Sequence, residues 1–161
     1  MKHETTARTT RQIRLIAGLG MVFSLLGIAD ASYLTIAHYT TKVVLACPAT
    51  SFINCQKVTS SSYSEVHGVP LVILGLIFFV GMLFLQLPAS WQSQNHRLRM
   101  ARLIFSLTGL ISVFWLVYVE LYRIGSICLY CTGVHILTFL LFAVTTVGTA
   151  LITPQRHPTN A

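Results

Sequence analysis

The chain is short of charge. Asp, Glu, Lys and Arg make up only 9% of its 161 residues, and four residues are acidic. A water-soluble domain carries about 25% charged residues, so this sequence has too few polar side chains to cover a surface in water. With 54% of its residues hydrophobic, its solvent is lipid. It also lacks a cluster of Lys and Arg interleaved with aromatics, which a phosphate backbone requires. The formal net charge of +7 comes from sparse basic residues beside apolar runs, and this excludes nucleic acid as a partner. There is no internal repeat, no low-complexity tract and no series of short alternating strands that would close a barrel. The reading is a single integral membrane domain over residues 1–161.

A membrane helix needs roughly 20 mostly apolar residues to cross about 30 Å of hydrocarbon. Four segments qualify, at about 13–39, 68–87, 101–122 and 125–152. From Leu15 to Tyr39 the only formal charge is Asp30, and the second segment has none. The expected fold is an all-α membrane protein, a bundle of four transmembrane helices, because helices satisfy their own backbone in lipid. Lys2, Arg8, Arg11 and Arg14 precede the first span, Arg97, Arg99 and Arg102 follow the second, and Arg156 follows the fourth. Lys42, Lys57 and Arg123 lie on the other side. The positive-inside rule then puts both termini in the cytoplasm and the loop at 40–67 outside. Ala29-Asp30-Ala31 resembles a signal cleavage site. Apolar character continuing through Tyr33, Leu34, Ile36 and Ala37 argues instead for a retained span.

Four cysteines carry the chemistry. Cys47 and Cys55 sit in the outer loop, and Cys128-Leu129-Tyr130-Cys131 opens the fourth span near the same face, where disulfides persist. Cysteines three apart share one face of a helix. A thiolate near a helix N-terminus is stabilised by the dipole and by free amides. Ser126 is the expected N-cap, which would put Cys128 in the first turn. Two static disulfides would also give an even count, but a CxxC ring is a poor staple. A zinc site of four thiolates is possible by number, yet the loop pair is spaced too widely for the usual knuckle. Covalent haem is closed by Thr132, which stands where His is needed. Two pairs suit a relay in which a mobile loop pair takes electrons from a bulky soluble thiol protein and delivers them to a fixed pair by thiol–disulfide exchange. A quinone is the natural lipid-soluble acceptor of two electrons.

The ordered set of motifs resembles the vitamin K epoxide reductase family, specifically its prokaryotic single-domain members that generate disulfides. The resemblance spans about residues 11–152. It rests on Cys47 and Cys55 eight apart, on Cys55-Gln-Lys-Val-Thr-Ser60-Ser61-Ser62-Tyr63, on Gly68-Val69-Pro70, and on Cys128-Leu129-Tyr130-Cys131 with His135 four residues on. Gly27 to Asp30 with Tyr33 and Leu34 adds to it. The resemblance implies that Cys47 and Cys55 are the shuttle pair, oxidising a thioredoxin-fold (DsbA-like) partner. Cys55 would form a transient disulfide with Cys128, and Cys131 would face the quinone. It implies that Ser61, on a half-helix over the site, contacts the quinone pocket. Leu71 stands where mammalian members have a head-binding Asn, and His135 where they have Tyr, so the head-group contacts differ here. The DsbB family also has four helices and two cysteine pairs, but in the reverse order along the chain.

Among other residues, His135 shares a helical face with both cysteines of the CxxC and is assigned to hydrogen-bonding the quinone or relaying a proton, since polar residues inside membranes are costly. Asp30 is expected to pair with another helix or hold the site, and Glu120 with Arg123 to form an interfacial ion pair. Trp115, Tyr118 and Tyr122 would either line a ring pocket or belong to an aromatic belt. Gly75, Gly81, Gly109 and Gly133 are expected to let helices approach closely. The reading is a membrane thiol:quinone oxidoreductase with no metal, using ubiquinone or menaquinone. A separate thioredoxin-fold protein is its partner, and the ending, without an endoplasmic-reticulum retrieval signal, points to a bacterial inner membrane. The rival readings are reduction of vitamin K epoxide and a non-enzymatic scaffold stapled by disulfides.

Overall fold

A computed structural model describes residues 2–40, 47, 50, 52–66, 68–93 and 95–152, with side chains from residue 11 to 151. Lys42 and Arg156, and the side chains of Lys2 and Arg8, lie outside the described residues, as does part of the loop at 40–67.

Helix α1 runs Lys2–Tyr39 and a short helix α2 runs Cys55–Thr59. A two-stranded antiparallel hairpin, β1 (Glu65–Val66) and β2 (Val69–Pro70), leads into α3, Leu71–Gln86. Pro70 is extended (φ −60°, ψ 133°) and marks the start of α3. Leu87 is extended too (φ −56°, ψ 141°), because a residue before proline is driven out of the helical region. Pro88 then occupies the first turn of α4, Pro88–Gln92, where its missing N–H costs nothing. The prolines therefore trim α3 at both ends relative to the expected 68–87.

Helix α5, His96–Tyr118, is capped by Asn95, whose side chain accepts from the Arg97 amide at 2.9 Å. It runs on into a π-helical turn, Val119–Ile124. Gly125 ends that turn in the left-handed region (φ 65°), which glycine enters without a Cβ clash. Helix α6 follows at Leu129–Ile152, four residues later than the sequence pattern suggests.

Among the described residues three segments are long and apolar enough to cross a membrane: Arg11–Tyr39, His96–Ile124 and Leu129–Leu151. Leu71–Gln86 is apolar but shorter. Helix α1 packs on α3 and α6, and α5 packs on α6 and α3, around the buried side chains of Ala31, Phe79, Met82 and Leu141. Small residues permit this closeness. A Cβ at Gly81 would stand 2.8 Å from Phe105, and one at Gly109 would strike Phe78. Gly75 departs from expectation: nothing lies within 4 Å of its Cβ position, and it lines a cavity instead. Outward-facing Leu15, Ile104, Phe114 and Phe139 are all more than half exposed, as lipid-facing side chains are.

At the end away from the cysteines, a polar knot joins four helices, α3 to α6. The Gln86 amide donates to Thr145 Oγ1 at 2.7 Å and accepts from the Trp91 indole at 2.9 Å. The Arg102 guanidinium lies 3.7 Å over the Trp91 ring and donates to the Leu85 carbonyl and Ser90 hydroxyl. Arg102 is thus buried in protein rather than spread along a basic rim.

Candidate functional site

The loop after α1 is tied to the start of α6 by a short parallel bridge between Ile53 and Ile127. The Ile127 amide donates to the Phe52 carbonyl at 2.7 Å, and the Asn54 amide to the Ile127 carbonyl at 3.1 Å. Asn54 then caps α2, its side chain accepting from the Lys57 amide at 2.9 Å. This makes Cys55 the first residue of α2, buried and joined by a disulfide to Cys47 with Cα atoms 6.1 Å apart. The bridge pulls residues 54 and 55 beside residue 128. Cys55 and Cys128 accordingly share one buried cluster with Leu34 and Val58, and Cys47 and Cys131 pack against it.

Cys128 and Cys131 are free thiols. Ser126 is not the cap of α6. Its own amide is turned back to the Glu120 carbonyl, and Cys128 fills the N-cap position. The Cys128 carbonyl accepts the first helical bond, from Thr132 at 2.9 Å, and its sulfur accepts from the Cys131 amide at 3.2 Å, where a Ser or Asp side chain ordinarily caps. The thiol of Cys128 is pushed below the usual range, chiefly by the Cys131 thiol donating to its sulfur. Burial opposes this, and the Cys131 and Tyr130 amides add to it. The lowering expected from a helix N-terminus is present, but a hydrogen bond from the neighbouring thiol leads it.

Beside this pair lies a cavity of about 360 Å³ with largely apolar walls, within the roughly 300–1,000 Å³ typical of small-molecule sites. Its few polar groups converge from separate elements. Cys131, His135 and Thr138 come from successive turns of α6, Ser61 and Tyr63 from the loop after α2, and Glu120 from the π turn. Cys128 is not in the wall. Ser61 donates its hydroxyl to the Val58 carbonyl at 2.8 Å, and His135 is buried. Leu71, at the start of α3, also lines the space.

Glu120 and Arg123 do not pair. With more than four residues per turn, a π turn sends positions three apart to different faces. Glu120 is buried in the cavity wall and accepts the Cys128 backbone N–H. Arg123 is exposed and donates to the Tyr63 hydroxyl from Nε at 3.0 Å and Nη2 at 2.8 Å, tying the loop to the π turn. Trp115, Tyr118 and Tyr122 form a row on the exterior, with neighbouring rings 5.9 and 5.2 Å apart, and do not line the cavity. Asp30 faces the backbone of α6, where a Cβ on Gly133 would come within 2.7 Å of Oδ2. Its Oδ1 is buried without a hydrogen-bond partner among the described residues. Of these residues, Glu120 and Arg123 depart furthest from the expected pairing. For Glu120 the available signal was a lone acid inside an apolar run.

Two cysteine pairs packed together beside an apolar cavity, among helices suited to lipid, define a membrane thiol-redox protein. The sequence model of the vitamin K epoxide reductase family matches residues 19–146, most of the chain, and the protein belongs to that family. Membership makes it a membrane oxidoreductase working through cysteines, in a family associated with quinones.

Proposed function

We propose that the protein is a thiol:quinone oxidoreductase that oxidises a separate thioredoxin-fold partner and passes the electrons to ubiquinone or menaquinone. The observation that carries this reading is the division of labour within the CxxC. Cys131 borders the cavity, whereas Cys128 is withdrawn from it into the cluster that holds Cys55. A partner dithiol reduces the Cys47–Cys55 disulfide. Cys55 then attacks the oxidised helix pair at Cys128, releasing Cys131, and Cys47 resolves the mixed disulfide. The apolar volume with its convergent polar groups would suit a quinone ring; His135 would hydrogen-bond one of its oxygens, and Ser61 would do so by turning its hydroxyl away from the Val58 carbonyl. Across the whole cycle, partner dithiol and quinone become partner disulfide and quinol.

In this reading α3 is the second of four membrane spans, the cysteine end faces outside the cytoplasm, and both termini lie within it. The setting is a bacterial inner membrane. The test is anaerobic oxidation of a purified thioredoxin-fold dithiol protein with ubiquinone or menaquinone supplied in turn. Quinol should form in step with partner disulfide, and Cys131→Ala should reduce the rate to background. Full quinol formation by Cys131→Ala would refute the assignment.

A further inference from the structure

We propose that Glu120 handles protons in the thiol–quinone step, an inference that rests on the quinone reading above. Three independent features put it there. Its side chain is only 6% exposed and forms part of the cavity wall that also holds Cys131 and His135. It accepts the backbone N–H of Cys128, so its carboxylate sits at the base of the CxxC turn. The π turn that carries it breaks the α-helical register just there: Glu120 is sent inward, and Arg123 is sent to the Tyr63 hydroxyl. An acidic group buried near the end of a membrane helix is costly to keep.

The chemistry needs such a group. When the Cys128–Cys131 dithiol becomes a disulfide, two electrons and two protons leave the sulfurs, and the quinone oxygens gain both to become quinol. No further oxidant or acid enters. The walls are mostly apolar, so bulk water is a poor carrier for protons in transit. Glu120 carries the two protons in succession, accepting each from the thiol pair and yielding it to a quinone oxygen, and so ends in its starting form. The other titratable groups around the cavity are His135 and Cys131 on α6, Tyr63 on the loop and His38 on α1. Arg123, on its own turn, is committed to Tyr63, and Asp30 lies outside the wall against Gly133.

The test separates the two half-reactions in the full-length protein in lipid nanodiscs. With the helix pair reduced beforehand, single-turnover quinol formation from ubiquinone is followed across pH. Exchange between the partner dithiol and the Cys47–Cys55 disulfide is followed without quinone. Glu120→Gln keeps an acceptor for the Cys128 amide but cannot cycle a proton. It should slow quinol formation on the order of 10²-fold, flatten the pH profile and leave the exchange step at its wild-type rate. Glu120→Asp should restore part of the rate with a displaced profile, and it carries the test if the Gln variant does not fold. A wild-type rate and profile in Glu120→Gln would overturn the inference, as would equal slowing of both half-reactions. If the wild-type protein exchanges thiols but forms no quinol, the quinone reading itself falls.

Discussion

Cys128 combines two tasks in one sulfur atom. It caps α6 by accepting the Cys131 amide, and it is the member of its pair that packs with Cys55. A cap that accepts hydrogen bonds is better satisfied as an anion, so the interaction that starts the helix also favours the thiolate. The sign follows directly. A lowered thiol pKa means that thiolate is already present below the ordinary value of about 8.5. With Cys47 and Cys55 held as a disulfide, ultraviolet thiolate absorbance should show its first titration below that value. Cys131→Ala removes the thiol donor that contributes most but keeps the backbone N–H, so the remaining titration should move upward. An unchanged midpoint would show that the partner thiol does not tune Cys128.

At the scale of elements, the site is assembled by short pieces whose geometry depends on remote neighbours. The apolar runs that become α1, α3, α5 and α6 are plain in the sequence, because a segment of about 20 apolar residues has few alternatives. The cysteine pairs stand out by their spacing and His135 by sharing a helical face with the CxxC, whereas Ser61 is reached only through the family resemblance. The cap of α6 could not be read locally. Ser126 looks like a cap in isolation, but the Ile53–Ile127 bridge joins segments over seventy residues apart and holds the strand-like stretch open until Cys128. The Glu120–Arg123 pairing failed for a related reason: three-residue spacing means a shared face only in an α-helix, and the π turn is not written in any local propensity. The Arg123–Tyr63 tie is a consequence of that turn. Tyr63→Phe removes the acceptor and should speed amide exchange over residues 61–66 a few-fold, since an exposed contact of this kind is modest in strength. Equal exchange in both proteins would mean that the hairpin holds the loop unaided.

Across the whole molecule, chemistry and anchorage occupy opposite ends. The cysteines and cavity lie where α1 ends and α6 begins, while Gln86, Trp91, Arg102 and Thr145 bind the helices together at the other end. This knot was not foreseen. Its members are far apart in sequence, and each reads alone as an ordinary polar residue at a helix end. Gln86→Ala would remove the donor to Thr145 Oγ1 and the acceptor of the Trp91 indole, two buried hydrogen bonds, at a cost of about 1–3 kcal/mol. The variant should unfold at lower temperature in detergent, while thiol oxidation per folded molecule stays at the wild-type level. A loss of activity without loss of stability would show that the two ends communicate.

The clipped third helix and the closed cysteine cluster have a consequence for charge. Sixteen residues at 1.5 Å each reach only about 24 Å, short of the roughly 30 Å of a bilayer's hydrocarbon; as the span proposed above, α3 would rely on the hairpin, joined to it through the Leu71 amide and the Ser64 carbonyl, to make up the difference. Cys128 is fully enclosed, so the anion formed there at each exchange meets little water and is solvated mainly by the amide and thiol hydrogens of Cys131.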